Sequence, residues 1–501
     1  MKTPYNLLLD QIREIATLGS IQALLGWDQE TMMPPGAIQS RAHQQGLVAT
    51  LIHQRLTSES YASLIESCLD VQTGVVHTGF SPSQTRTLHV VYRDWRLARC
   101  LPDEYIKRFS TASSLSQHVW SEAKKTKCFA TFAPHLETMV ALAKERAQYL
   151  NTCPCPYDTL LDEYEPGLRY EHLVPLVAQF RDKLPSLLKK ISSHDHLSFR
   201  FEDHRWDLDK QAQWCRQMVS EMGFSFNTGR LDVSSHPFST NIHAQDVRIT
   251  TRYREDTPMD ALSGSMHEAG HALYEQGLPA DAFGTPAGQA NSFGIHESQS
   301  RFWENCIGKH PAFWEGVYPD FQRLFPENLA TVSLEDFYEA VVAPRASLIR
   351  VDADEISYNL HIVIRLELER ALITGNLAIN DLPSAWNEAY KQMFGLMPPD
   401  DGLGVLQDVH WSCGYFGYFP TYSVGNVYAA MLLEACHKAL PNFETLLRTR
   451  QLAPITQWLR THIHAHGRLK SAAELIQDST GYTQCDPTPF VTYLTQKYDR
   501  V

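Results

Sequence analysis

No stretch of this chain stays apolar for the roughly 18 residues that a membrane helix requires, so a membrane-spanning protein is not expected. Basic runs are missing too. Against 57 Asp and Glu stand 44 Lys and Arg, a net charge of −13. With no Lys/Arg cluster, nucleic acid and anionic membranes are poor partners. Cysteine is sparse: ten residues in 501, with no C-x-x-C pair. Cys153-Pro154-Cys155 is too tight for an ordinary disulfide or a zinc knuckle. This usage fits a reduced, cytoplasmic protein. Charged residues make up only 20%, without the Glu/Lys bias of a hyperthermophile. Internal repeats and low-complexity tracts are absent. Met1–Asp10 holds only a three-Leu run before Asp10 and Arg13, which is not a signal-peptide pattern. What remains is a 43% hydrophobic chain, enough for a large core in one helical domain or two lobes.

Helical spacing dominates. Apolar residues recur at three and four positions over 4–25, 38–57, 82–99, 103–127, 130–150, 172–192, 208–222 and 257–277. They do so again over 295–306, 332–342, 350–374, 382–395, 424–439 and 453–465. The fold class is therefore mostly α. His196–Glu202, Ser239–His243 and Val247–Tyr253 alternate as strands do, and the last two predict a small hairpin. Its edge could pair with an extended peptide, or the sheet could be only a support. The stretches near 152–168 and 278–294 read as loops, and neither looks like a flexible linker, so 1–501 is expected to be a single domain.

The most informative residues are His267-Glu268-Ala269-Gly270-His271, followed 26 residues later by Glu297. On a helix, positions four apart lie about 40° apart around the axis, so His267 and His271 share a face. Two neutral imidazoles there can bind one divalent metal, usually Zn²⁺, with Co²⁺ or Mn²⁺ also accepted. Glu268 projects to one side, where a general base for hydrolysis belongs. The helix has a start signal in Thr257-Pro258 and a stop in Gly277. Gly264 and Gly270 each cost it about 1 kcal/mol against Ala, which a close backbone approach would explain. A second helix after the 278–293 loop can return Glu297 as third ligand, with Glu304 as rival or as partner to a ligand. His462, His464 and His466 sit at i, i+2 spacing and read as a solvated helix end. Trp27, Trp95 and Trp303 read as core.

Several blocks in order carry a more specific message. His236-Pro237-Phe238, Asp246-Val247-Arg248-Ile249-Thr250, His296-Glu297-Ser298, Ile349-Arg350-Val351-Asp352-Ala353-Asp354 and Gly404-Val405-Leu406-Gln407-Asp408-Val409-His410-Trp411 resemble signature blocks of the carboxypeptidase Taq family. Trp27-Asp28-Gln29-Glu30-Thr31, Met33-Pro34-Pro35-Gly36 and Tyr164-Glu165-Pro166-Gly167 are similar to family sequence as well. The resemblance implies a two-lobed, mostly helical metallopeptidase with a deep substrate groove and a small sheet near the active site. It implies a homodimer that removes C-terminal amino acids of peptides one at a time, with broad specificity. An endo-acting oligopeptidase or a dipeptidyl carboxypeptidase with the same metal chemistry is the alternative, and a peptide-binding protein with a structural metal is disfavoured by the intact Glu268. Ser412-Cys413-Gly414-Tyr415-Phe416 departs from the family's usual small residue here, and Cys413 and Tyr415 would narrow the groove. On this resemblance His267, His271 and Glu297 hold zinc and Glu268 is the base. His410, Tyr418 and Tyr422 are candidate oxyanion donors. Arg350, then Arg248, are candidate readers of the substrate carboxylate. Their bland alternatives are an ion pair of Arg350 with Asp354 on a 350–374 helix and of Arg248 with Asp246 along a strand.

Overall fold

The computed structural model describes residues 2–192, 197–344 and 347–499. Helices carry most of them. The first, Pro4–Thr31, starts where the sequence says it should: Pro4 is at its first turn and the Thr3 hydroxyl accepts the Asn6 N–H at 3.3 Å. It packs against Ile38–Leu56 and Glu59–Glu66. With Glu59–Glu66 and Pro82–Cys100 it buries a small core that includes Leu8, Ile12, Tyr61, Leu88 and Trp95. A second, far larger core runs through the rest of the chain, with Trp206, Trp303, Trp314 and Trp386 fully buried in it. Trp27 and Trp95, expected in the core, are buried as well.

Three strands form the one sheet among the described residues: β1 (Gly229–Val233), β2 (Ser239–His243) and β3 (Asp246–Thr251), in the order β1-β3-β2. The expected hairpin is β2–β3, with Ser239 opposite Ile249 and Asn241 opposite Val247. β1 was not expected. It joins parallel to β3, which is why β3 is the buried strand. The outer edge of the hairpin is not open to solvent along its length, because the Pro4–Thr31 helix lies against β2.

Several boundaries differ from the expectations. The 350–374 helix starts only at Ser357: Asp354 Oδ1 accepts the N–H groups of Ile356 and Ser357, at 2.8 and 3.1 Å, and so ends the preceding turn. The 152–168 loop contains a helix, Pro156–Tyr164. Helices Glu59–Glu66, Pro311–Leu324, Phe443–Arg448, Ala472–Thr480 and Thr488–Tyr498 were also unforeseen. Of the alternating stretch His196–Glu202, His196 lies outside the described residues, 197–200 are irregular and Phe201–Asp203 is a single 3₁₀ turn.

Candidate metal centre and active site

Helix Pro258–Gly277 carries both histidines. Its start differs in detail from the expected cap, since the Thr257 hydroxyl turns to Asp256 Oδ1 at 3.4 Å. One side meets β3, where Thr251 Oγ1 donates to the Ala261 carbonyl at 3.2 Å. The other side meets helix Phe293–Arg301. Gly270 is the point of contact: a Cβ there would lie 2.5 Å from the Gln299 carbonyl oxygen and 2.6 Å from Ser300 Cα. Only glycine permits that approach. Gly264, by contrast, has only ordinary contacts, the nearest at 3.5 Å to Pro237. From the far side Gly425, on helix Pro420–Ala439, closes on Glu297, whose Cγ would lie 2.6 Å from a Cβ at that position. The Glu297 helix is thus gripped between two glycines.

That helix does not run on to residue 306 as an α-helix. From Phe302 to Ile307 it widens into a π turn, which carries Glu304. His267, His271 and Glu297 then converge. Each offers one donor atom within 4.8 Å of the others. Glu297 Oε2 lies 3.5 Å from His271 Nε2 and 3.8 Å from His267 Nε2. Bonds of about 2.0–2.1 Å in a tetrahedral centre separate donors by roughly 3.4 Å, so this set fits a divalent ion.

The atoms behind the donors are engaged. With both Nε2 atoms facing the centre, each Nδ1 carries a hydrogen. His267 Nδ1 donates to Glu304 Oε2 at 2.8 Å. His271 Nδ1 donates to His296 Nδ1 at 2.6 Å, and His296 Nε2 donates to Glu275 Oε1 at 2.9 Å. Arg301 donates from Nε to Glu297 Oε1 at 2.7 Å and from Nη1 to Glu304 Oε2 at 3.0 Å. Burial opposes charge on Glu297, but Arg301 and the two histidines outweigh it and hold its carboxyl well below the usual range. Glu304 is likewise held at about 2, against burial, by Arg301 and His267. Burial pushes His271 down to about 3. Burial works against a charged His267 too, yet Glu297 and Glu304 raise it to about 9.

Glu268 is different. It is 7% exposed and makes no hydrogen bond or ion pair among the described residues. Burial lifts its carboxyl to about 7, against the pull of His267.

Tyr358 links this cluster to the other candidates. The Arg301 guanidinium lies 4.9 Å over its ring, and its hydroxyl accepts from Arg350 Nη1 at 3.1 Å. Arg350 does not pair with Asp354. Its Nε donates to Asp408 Oδ1 at 2.9 Å, and Asp408 Oδ2 accepts from the fully buried Arg365 at 2.6 Å. The Arg350 guanidinium lies 5.3 Å from the Tyr422 ring centre. Tyr422 OH is 3.3 Å from His410 Nε2, and Tyr418 packs edge-on against Tyr422 at 5.3 Å. Burial keeps the Tyr418 and Tyr422 phenols protonated, Tyr418 at about 12, and drops His410 to about 4. His410 Nδ1 is buried without a partner among the described residues. Arg248 is bidentate on Asp246, at 2.8 and 2.9 Å, with its guanidinium 4.4 Å over Trp27.

Sequence reasoning missed His296, Arg301, Tyr358 and Asp408. Arg301 had a signal, the four-residue spacing from Glu297 on one helix. It misjudged His464, which is no solvated end: it is fully buried, and its Nε2 lies 2.9 Å from Gln299 Oε1 behind the two metal-site helices. Gly277 leaves room for it, since a Cβ there would lie 2.5 Å from His464 Nδ1.

Comparison with known proteins agrees with this geometry. The model of the carboxypeptidase Taq (M32) metallopeptidase family matches residues 7–498. Thermostable carboxypeptidase 1 of Thermus thermophilus is 41% identical, over 99% of this chain and 98% of its own length. Carboxypeptidase 1 of Bacillus subtilis is 35% identical over 98% and 97%. The crystal structure of an M32 carboxypeptidase from Deinococcus radiodurans, 38% identical, superposes with a TM-score of 0.96 and covers 100% of this chain and 99% of its own. This chain belongs to the carboxypeptidase Taq (M32) metallopeptidase family.

Proposed function

We propose that this protein is a zinc-dependent metallocarboxypeptidase that removes C-terminal amino acids from peptides one at a time, with broad specificity. The observation that carries the reading is an uncommitted, buried Glu268 beside a three-donor cluster. A structural metal site has no use for such a base. His267, His271 and Glu297 would hold the ion, which supplies a Lewis acid for amide hydrolysis. Glu268 takes the proton of the attacking water and returns it to the leaving amine, a task suited to a carboxyl near 7. Tyr422 and Tyr418, kept protonated, and the neutral His410 are the donors for the oxyanion. Arg350 reads the substrate's terminal carboxylate. Asp408 and Tyr358 fix its Nε and Nη1, and its Nη2 makes no hydrogen bond among the described residues. Arg248 is a secondary candidate, since Asp246 already occupies its fork. On the family resemblance the reading extends to a single domain, a homodimer and a cytoplasmic location.

The test is product analysis by mass spectrometry on a mixed peptide library, some members amidated at the C-terminus, with and without chelator. Stepwise loss of single C-terminal residues, abolished by chelation and by amidation, is expected. Internal cleavage or dipeptide release indifferent to amidation would move the function to an oligopeptidase and remove Arg350 from its role.

A further inference from the structure

The corner Tyr164-Glu165-Pro166-Gly167 lies at the end of helix Pro156–Tyr164 and takes no part in the chemistry above. Glu165 is nevertheless a buried carboxyl, 2% exposed, and burial lifts it to about 7 while Ser292 and Gly294 pull the other way; a polar group in such a place needs its hydrogen-bond partners. Both of its oxygens point to the start of the Glu297 helix. Oε1 accepts from Ser292 Oγ at 2.6 Å and Oε2 from the Gly294 N–H at 2.8 Å. Ser292 is the cap of that helix, its hydroxyl accepting the Ile295 N–H at 3.3 Å. Glu165 therefore satisfies one of the helix's open N–H groups directly and orients the hydroxyl that satisfies another, at the positive end of the helix dipole. The fit is tight. A Cβ on Gly294 would lie 2.8 Å from Glu165 Oε2 and 2.8 Å from Val424 Cγ1. The corner is itself anchored. The Gly167 N–H, at φ +89°, donates to Asp162 Oδ1 at 2.8 Å, and Asp162 pairs with Arg93 and Arg169. Beside it Tyr164 packs edge-on against Tyr418 at 5.1 Å.

We infer that Glu165 is a positioning residue for the metal centre: by capping helix Phe293–Arg301 it sets the height of Glu297 against the histidine pair. The inference rests on Glu297 being a metal ligand. A helix of nine residues has little cooperativity of its own, so its docking has to come from tertiary anchors. Gly270 and Gly425 fix it sideways, and Glu165 fixes it along its axis. The hydrogen-bond pattern also says which replacement should succeed. A glutamine carbonyl can accept from Gly294, and its amide can donate to Ser292 Oγ, which has a second lone pair free beside the Ile295 bond. An alanine leaves both partners orphaned.

The experiment measures the zinc affinity of the metal-stripped full chain by competition with a chromophoric chelator. The variants are Glu165→Ala, Glu165→Gln, Ser292→Ala and Glu297→Gln, with circular dichroism as a check of folding. A roughly tenfold weaker affinity is expected for Glu165→Ala, at the low end for groups behind metal ligands, with affinity restored in Glu165→Gln. Ser292→Ala should fall in between, and it carries the test if Glu165→Ala does not fold. A folded Glu165→Ala, or failing that Ser292→Ala, that binds zinc like the parent while Glu297→Gln does not would overturn the inference. Unchanged affinity in Glu297→Gln would instead overturn the ligand assignment beneath it.

Discussion

Glu297 and Glu268 are both buried carboxylates at the same centre, and their surroundings could hardly differ more. Around Glu297 stand the Arg301 guanidinium at 2.7 Å, Ser300 Oγ at 3.0 Å and two imidazoles. Its charge is set before any ion arrives. Glu268 has burial without partners, and its carboxyl sits near 7. The same residue type is thereby divided into a fixed anion and a group that can load and release a proton near neutral pH. Environment makes this division, because helix geometry alone places both within reach of the histidines.

The sharpest way to break the comparison is Glu268→Gln. It should leave metal content at the parental level and lower kcat/KM by about 10²–10⁴-fold, the usual contribution of a general base. Peptide turnover measured beside metal analysis decides it. If metal is lost in proportion to activity, Glu268 belongs with the ligands and the division collapses.

A smaller effect is expected on the other side. Glu304→Gln keeps the size of the side chain but removes the charge that orients His267 and pairs with Arg301. Metal affinity should fall about 10–100-fold, while kcat of the fully loaded protein changes far less. Titration with zinc in a buffered chelator series measures the first quantity, and saturating-metal kinetics the second. An unchanged affinity would mean that Arg301 alone keeps the shell charged.

The two carboxylates were not equally legible. The i,i+4 histidines with an intervening Glu depend only on helical period, so they and the helix from 258 to 277 could be read from the chain. Glu297 and Glu304 follow because a single loop returns the next helix. Tertiary partners hide from this kind of reading. His464 meets Gln299 across 165 positions, and its local spacing suggested solvent. Glu165 lay in a stretch read as loop because Cys153-Pro154-Cys155-Pro156 and Pro166-Gly167 bracket a helix of nine residues. Apolar spacing that continues through 350–356 places Arg350 on a helix. Asp354 ends that turn by hydrogen bonds that no periodicity reports. β1 is five residues long and pairs parallel with β3, so no hairpin turn announces it.

Glu369, on helix Ser357–Thr374, extends the comparison to a buried carboxylate outside the metal cluster, where the expected effect falls on stability and leaves metal and turnover aside. It is fully buried and accepts from Gly417 N at 2.6 Å, Tyr157 OH at 3.0 Å and Trp411 Nε1 at 2.8 Å. Burial still lifts it from 4.5 to about 7, its three donors opposing. A carboxyl raised on folding favours the native state below its unfolded value. That contribution is lost as pH rises through the folded one, here between about pH 4.5 and 7, and amounts to about 3 kcal/mol. Glu369→Gln should be less stable at every pH, because its amide nitrogen replaces one of the two oxygens and there faces a fixed donor, Gly417 N–H at Oε1 or Trp411 Nε1–H at Oε2. It should also lose less stability than the parent between about pH 5 and pH 8. Equilibrium denaturation of both proteins at the two pH values measures the difference of slopes. Parallel slopes would mean that three hydrogen bonds suffice to keep a buried carboxylate ionised as readily as in water, and that Glu268 is raised by its lack of partners rather than by burial itself.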